Sequence, residues 1–100
     1  LGHIGKELAI DIAKSQGYNI KSNYNDCGVL IFDKNSQDTH SGGSGCACCG
    51  TVFSGYFFKQ LKEKKIKKIL LIATGALMNS TSSQQGESIP GIAHAISIEI

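Results

Sequence analysis

The chain of 100 residues contains no Arg: all ten of its basic residues are Lys, and its formal net charge is only +2. Arg is the side chain that binds phosphates and base edges through a planar fork of donors. Six lysines lie between Lys59 and Lys68, and no aromatic residue is interleaved with them to stack bases. We therefore expect no nucleic-acid partner. The lysine run is interpreted as the solvated end of a helix, with an anionic-lipid or nucleic-acid patch as the alternative.

Long apolar runs are also missing. No stretch reaches the roughly 18 residues that a membrane-spanning helix needs, so this chain is not expected to span a bilayer by itself. The first residues contain neither an initiator Met nor a signal peptide, which predicts a fragment of a longer polypeptide. A hydrophobic fraction of 41% with 18% charged residues is typical of a globular domain rather than a disordered segment.

Paired C-x-x-C spacing is absent, although the chain has four cysteines, Cys27, Cys46, Cys48 and Cys49. On a helix the last three would point about 100° to 200° apart, so they would not converge on one ion. We expect no metal and no cofactor, and interpret the cysteines as small core residues. A disulfide framework and a thiolate nucleophile at Cys46, near His40 in the first turn of a helix, are the alternatives.

Hydrophobic patterning predicts an α/β fold with five elements. These are a helix over 4–16, a strand over 27–32, a helix over 44–65 capped by Ser44, a strand over 68–73, and a strand over 92–100. The order of these elements favours a mixed sheet with a parallel pair of strands and a final strand that runs antiparallel.

The helix predicted over 44–65 has no charged face in its first half. A helix that is apolar on all sides must be covered on all sides. Because the chain supplies strands for only one small sheet, we expect that this buried central helix either mediates a dimer or packs against a second layer from polypeptide outside this chain.

A glycine-rich turn precedes this helix, and a second turn, at 74–76, is predicted after the strand over 68–73. Backbone amides at the start of a helix bind anions such as carboxylates, and strand ends in parallel sheets often bind ligands. The two turns are expected to face one cleft. Neither has the spacing of a Walker or dinucleotide-binding loop. The candidate ligand-binding residues are His40, Gly42, Gly43, Ser44, Gly45, Thr74 and Gly75.

Four segments together resemble one known family. They are Asn25-Asp26-Cys27-Gly28, His40-Ser41-Gly42-Gly43-Ser44-Gly45-Cys46-Ala47-Cys48, Ala73-Thr74-Gly75-Ala76-Leu77 and Gln84-Gln85-Gly86-Glu87-Ser88-Ile89-Pro90-Gly91-Ile92-Ala93-His94. In this order they resemble the C-terminal part of the stage V sporulation protein AD family, over essentially the whole chain. The resemblance implies that residues 1–100 form the C-terminal half-domain of a thiolase-like fold, in which two sheets enclose a central layer of helices.

The resemblance implies a binding function rather than a catalytic one. In working thiolases, Pro follows the His at the position of His40, whereas this chain has Ser41. A catalytic Cys normally precedes the turn that corresponds to Thr74 and Gly75, but the chain has no Cys in residues 70–73. The implied function is to bind dipicolinic acid for its uptake into the developing spore. An active acyltransferase of the thiolase or ketoacyl-synthase type is the alternative, and a purely structural scaffold is a third hypothesis.

The partners implied by the resemblance are dipicolinic acid, other SpoVA membrane proteins, and a second copy of the protein in a homodimer. The implied location is inside the cell, at the periphery of the forespore or spore inner membrane.

Overall fold

The computed structural model describes residues 1–43, 45, 47–76 and 84–100. The described elements are α1 (Gly2–Ser15), α2 (Cys27–Leu30), α3 (Cys48–Val52), a π-helical segment (Phe53–Phe57), α4 (Phe58–Lys62), β1 (Lys68–Ala76) and β2 (Gly91–Glu99). The chain divides into two compact units, Leu1–Gln60 and Leu61–Ile100. Helices with a small sheet agree with the predicted mixed α/β composition.

The first helix is confirmed, and its end follows from Gly17. The amide of Gly17 donates to the carbonyl of Lys14, and the amide of Tyr18 donates to that of Ala13 at 2.9 Å. Gly17 has a φ of 90°, which is the left-handed conformation that ends many helices and that glycine adopts at little cost. The sequence therefore determines this helix end locally.

The sequence predicts one apolar stripe on α1, formed by Leu8, Ala9, Ile12 and Ala13, and this stripe is only partly covered. Ile10 is buried, whereas Leu8 and Ile12 of the predicted stripe are 59% and 51% exposed. The side of α1 that packs in this unit is therefore rotated away from the side that carries most of the large apolar residues.

The strand predicted over 27–32 is wrong, because residues Cys27–Leu30 form α2. Asp26 is the N-cap of this short helix, and its Oδ1 accepts a hydrogen bond from the amide of Val29 at 3.1 Å. An Asp at this position stabilises a helix start by satisfying an amide that has no partner in the helix. This local hydrogen bond prevails over the strand-like pattern of apolar residues.

The second long helix is present, but it starts later and ends earlier than predicted. Helical residues run from Cys48 to Lys62, with the π-helical segment between α3 and α4. The N-cap is Ala47, which makes no side-chain capping bond. The predicted cap, Ser44, lies outside the described residues.

This helical run has one buried side and one uncharged exposed side. Val52, Phe57 and Leu61 are buried, whereas Tyr56 and Phe58 are 46% and 55% exposed. The expectation that the helix is covered on all sides is therefore not met within the described residues. What is exposed before Lys59 is apolar or small and polar, as the sequence predicted.

The described sheet has two antiparallel strands, so the predicted parallel pair is wrong. Lys68 pairs with Glu99 and the ladder continues without a bulge to Ala76 and Gly91. The parallel pair required a strand over 27–32, and that segment is helical. The predicted final antiparallel strand is confirmed.

Neither face of this sheet is buried in the second unit. The apolar run in residues 68–73 predicts a buried strand. This prediction is wrong within the described residues, since Leu70 and Ile72 of β1 are 61% and 47% exposed. Alternate residues of the last segment are mostly Ile, which predicts a strand with one more apolar face. The structure agrees, since the antiparallel register places Ile92, His94, Ile96 and Ile98 on one face of β2.

Candidate functional site

The loop that leads to the glycine-rich turn is organised by Asp33. Its Oδ1 accepts the amide of Asn35 at 3.0 Å, and its Oδ2 accepts the hydroxyl of Ser36 at 2.9 Å. These bonds, first that from the Asn35 amide, lower the pKa of the Asp33 carboxyl below its usual value. The amide of Asp33 donates in turn to Oε1 of Gln37 at 2.8 Å. A loop without regular secondary structure is thus held in one shape by its own side chains.

This loop surrounds an open concavity of about 410 Å³ that is lined by residues 34–40. Binding sites for small molecules commonly have volumes of about 300–1,000 Å³. Lys34 and His40 stand at the two ends of the lining segment and provide nitrogen donors. The hydroxyl groups of Ser36 and Thr39 add further polar groups. The amides of Asn35 and Gln37 and the carboxylate of Asp38 complete the lining, so the arrangement suits a small polar ligand.

His40 stands at the exposed rim of the concavity. Its backbone has a φ of 53°, a left-handed conformation that is uncommon for a residue other than glycine. Its Nδ1 lies 3.7 Å from Oδ1 of Asp38, and both side chains are nearly nine-tenths exposed. A contact of this length between two solvated side chains contributes little to stability, so it leaves the imidazole available to a ligand.

A second cavity of about 30 Å³ lies beside the first. It has room for about one water molecule. Phe32 and Val29 supply its apolar wall, and His40 lines both cavities. Of these two cavities in the described part of the chain, only the concavity of residues 34–40 has room for a ligand larger than water.

The amides of Gly42 and Gly43 already have partners within the chain. Gly42 donates to the carbonyl of Thr39 at 3.0 Å, and Gly43 donates to that of Gly28 at 2.7 Å. These glycines allow close backbone contact: a Cβ on Gly43 would lie 2.1 Å from the ring of Phe32. The sequence correctly indicated a turn that needs glycine, but the structure gives the glycines a packing role.

The same turn also caps α1. The hydroxyl oxygen of Ser41 accepts the amide of Ile4 at 3.0 Å, and the carbonyl of Ser41 accepts the amide of His3. Ser41 thus satisfies amides at a helix start, which would otherwise need water or another cap.

The other predicted site residues are spread over the chain. Ser44 lies outside the described residues, and Gly45 is exposed with a φ of 133°. Thr74 and Gly75 are not in a turn, since they belong to β1 and pair with Ala93 and Ile92. They lie in the second unit, whereas His40, Gly42 and Gly43 lie together in the first. The predicted turn over 74–76 is therefore wrong, whereas the assignment of Thr74 and Gly75 to the ligand site stays a prediction.

Two residues at this site were missed from the sequence. The sequence indicated a polar loop for Lys34, and for Asp26 the boundary of a strand within a segment that resembles the family, but no role for either side chain. The carboxylate of Asp26 is buried and accepts the amides of Val29 and Gly2, each at 3.1 Å. The backbone nitrogen of Leu1 lies 3.3 Å from the same carboxylate. An Asp three residues before an amide that needs a partner was the available signal.

Three cysteines lie at the starts of α2 and α3, two helices that pack against each other. Cys27, Cys48 and Cys49 are half-buried and unpaired by disulfides. Burial, followed by the neighbouring thiols of Cys49 and Cys48, raises the pKa of Cys27 from its ordinary value near 9 to about 11. Within the described residues, no group of three or more His, Cys, Asp or Glu side chains is placed to hold a metal ion.

The raised pKa of Cys27 predicts a loss of stability in alkaline solution. The folded state favours the neutral thiol, so the stabilisation is complete below about pH 9 and is lost as the pH rises to about 11. Denaturant unfolding of the wild type and of Cys27→Ala from pH 8 to pH 11 measures this effect. The stability advantage of the wild type is expected to shrink above pH 9, and a difference independent of pH would contradict the assignment.

Comparison with known proteins decides the family. The family model for stage V sporulation protein AD matches residues 1–99. The chain belongs to this family. Stage V sporulation protein AD of Bacillus subtilis (strain 168) is 42% identical to the chain over 99 residues. The aligned region covers 99% of the chain and 29% of that relative, so the chain spans about three tenths of its length.

Membership of the stage V sporulation protein AD family assigns the chain to sporulation. The match includes both the loop that carries Lys34 and His40 and the two strands of the second unit. In the described part of this sporulation protein, no helix has both the length and the apolar character needed to cross a bilayer.

Proposed function

We propose that the chain is the C-terminal half-domain of a thiolase-like sporulation protein that binds dipicolinic acid for uptake into the developing spore, without catalysing a reaction. The observation that carries the proposal is the concavity of residues 34–40, with a lysine and a histidine at its ends, in a chain of a sporulation family. Dipicolinate is a planar dianion, and donors that carry or can acquire positive charge suit its two carboxylates.

In this proposal Lys34 and His40 bind the carboxylates. The lysine ammonium supplies a fixed charge and three donors, and the imidazole supplies at least one donor in either protonation state. Gly42 and Gly43 shape the turn that carries His40, since their amides are engaged in bonds to Thr39 and Gly28. The hydrogen bonds of Asp33 hold the loop in place before a ligand arrives, which limits the entropy lost on binding.

The absence of a catalytic thiol in one segment supports a role without catalysis. Residues 70–73 read Leu-Leu-Ile-Ala and lie in β1, where working thiolases are expected to carry a cysteine before the turn. Acyl transfer by that type of enzyme needs an acid or base at this position. None of the side chains in residues 70–73 can exchange a proton.

The uncharged exposed side of the helical run supports the thiolase-like arrangement. Tyr56 and Phe58 are large and exposed, and apolar surface of this kind is usually covered by another layer. In the proposed fold, a sheet from the other half of the protein covers this side. A homodimer and peripheral attachment to SpoVA proteins at the spore inner membrane complete the proposal.

Calorimetric titration of the complete protein with dipicolinate tests the function. We expect saturable binding, and we expect His40→Ala and Lys34→Ala each to weaken it by about tenfold to a hundredfold, because each removes a charge-assisted hydrogen bond worth about 1.5–3 kcal/mol. His94→Ala and Lys21→Ala are matched controls outside the concavity and should leave the affinity unchanged.

The outcomes separate the competing hypotheses. Absence of saturable binding would favour a structural scaffold and would refute the proposal. Turnover of an acyl-CoA substrate by the complete protein would favour the acyltransferase. Binding that is unaffected by His40→Ala and Lys34→Ala would exclude the concavity of residues 34–40 as the site.

A further inference from the structure

The lysine run extends beyond the helix that was expected to contain it. Helix α4 ends at Lys62, and β1 begins at Lys68. The favourable interaction between a lysine and the C-terminal end of a helix is limited to the last turn of that helix. It therefore accounts for Lys59 and Lys62, but not for the four lysines of the run that follow α4. The interpretation of the whole run as the solvated end of a helix is thus incomplete.

Residues 62–68, here called the basic segment, lie wholly in the second unit. The segment contains five lysines, and all of them are exposed: Lys62, Lys64, Lys65, Lys67 and Lys68. Its one acidic residue is Glu63, whose Oε2 lies 3.2 Å from Nζ of Lys65. The ladder places one further acid, Glu99, opposite Lys68. Five lysines and two glutamates leave an excess of three positive charges on this short stretch.

Hydrogen bonds fix the backbone of the basic segment at two points. The amide of Lys64 donates to the carbonyl of Leu61 at 3.1 Å, and the φ of Lys64 is 59°, so the chain turns sharply directly after α4. The carbonyl of Lys67 accepts the amide of Ile100 at 3.0 Å, which ties the segment to the residue that follows β2. The five ammonium groups are therefore carried by a short connection of defined shape rather than by a loose tail.

A layer of anionic lipid headgroups is the partner that fits the chemistry of this segment best. A lysine ammonium is a strongly hydrated point charge on a flexible stem, whereas arginine binds a single phosphate through a rigid fork of donors. Lysines without any arginine suit a surface that presents many mobile phosphates, and clusters of about four to eight basic residues near a bilayer attract anionic lipids. A nucleic acid fits less well, because residues 62–68 include no aromatic side chain to stack on a base.

We propose that the basic segment is an electrostatic docking surface for a membrane that contains anionic lipids. The segment contacts the lipid headgroups directly, separately from any contact that the protein makes with membrane proteins. Each lysine near an anionic surface raises the affinity about fivefold. Salt screens this attraction, because the Debye length is only about 8 Å at physiological ionic strength. The proposal is independent of the function of the concavity of residues 34–40.

Sedimentation of the complete protein with lipid vesicles tests the proposal. One set of vesicles contains equal parts of phosphatidylglycerol, which is anionic, and phosphatidylcholine, and the other set contains phosphatidylcholine alone. The variant Lys62→Gln with Lys67→Gln removes two charges from the basic segment. Its matched control, Lys14→Gln with Lys21→Gln, removes two charges from the last turn of α1 and from the loop that follows α1.

We expect the wild type to sediment with the anionic vesicles at low salt and to be released at about 1 M salt, where the Debye length falls to about 3 Å. Lys62→Gln with Lys67→Gln should bind these vesicles about tenfold to thirtyfold more weakly, because two of the attracting charges are lost. The control pair should keep the affinity of the wild type. Denaturant unfolding checks that both pairs are folded, so the result does not depend on whether the protein binds dipicolinate.

Three results with vesicles would overturn the proposal: no binding to the anionic vesicles, equal binding to phosphatidylcholine alone, or the same affinity in the two pairs of variants. A DNA duplex serves as a competing polyanion. Tighter binding to the duplex than to the anionic vesicles, weakened by Lys62→Gln with Lys67→Gln, would assign the basic segment to a nucleic acid and would also overturn the proposal.

Discussion

Gly28→Ala is expected to destabilise the first unit by about 2–4 kcal/mol. A Cβ built at Gly28 would lie 1.9 Å from the carbonyl oxygen of Gly43, and that atom belongs to backbone that cannot rotate away. Relief of this overlap requires α2 and the glycine-rich turn to separate, which breaks the 2.7 Å bond from the Gly43 amide to the Gly28 carbonyl. Overpacking costs about 1–3 kcal/mol, and a lost hydrogen bond adds about 1 kcal/mol.

Gly50→Ala is the matched control for this substitution. Gly50 lies in α3, and nothing lies within 4 Å of a Cβ added there. Ala is favoured over Gly inside a helix by about 0.5–1 kcal/mol, so the control should be neutral or slightly stabilising. Denaturant unfolding of the complete protein measures both variants, and hydrogen exchange of residues 41–43 localises the effect. Unchanged exchange in Gly28→Ala would disprove the close contact.

Asp26→Ala is expected to lower the free energy of unfolding by a similar amount, about 2–4 kcal/mol, for a different reason. The buried carboxylate accepts the amide of Val29 at the start of α2 and the amide of Gly2 at the start of α1. Loss of an N-cap costs about 0.5–2 kcal/mol, and a buried amide left without a partner costs about 1–3 kcal/mol. One side chain thus supports two helix starts.

Asp33→Ala is the matched control for Asp26→Ala. Asp33 also accepts an amide and a hydroxyl, but it is fully exposed, and water replaces those bonds when they are lost. Its removal should loosen residues 34–37 with a much smaller change in the free energy of unfolding. Asp26→Asn, which keeps one acceptor oxygen, should lie between the wild type and Asp26→Ala. Equal losses for Asp26→Ala and Asp33→Ala would contradict the assigned role of burial.

Local sequence signals predicted some elements well and others badly. Helix α1 was predictable because the apolar spacing and Gly17 are both local features. Helix α2 was not, because the apolar run from Cys27 fits a buried strand and a helix equally well. The capping bond of Asp26 decides between them, and that bond depends on one side chain rather than on a pattern. The sheet was predicted wrongly for the same reason, because its parallel pair required a strand over 27–32.

For the candidate site, too, the sequence predicted some features and missed others. The sequence placed His40 and the glycines in one turn, and the structure retains that turn beside α2. The place of Lys34 in the candidate site was missed because nothing in the sequence shows that residues 34–40 line a concavity. The conformation of this loop depends on the hydrogen bonds that the Asp33 carboxylate accepts from Asn35 and Ser36. It also depends on the hydrogen bond between the glycine-rich turn and Gly28.

By itself the sequence determined the family, the helix with an uncharged face and the need for glycine near His40, because these are encoded in residue order and type. Only the tertiary structure decided what the glycines do and which residues accompany His40. Those properties depend on distances of a few ångströms between segments that are far apart in the chain. The order of residues does not give these distances. They arise only in the folded chain, where Asp26, Ser41 and Gly28 hold the segments together.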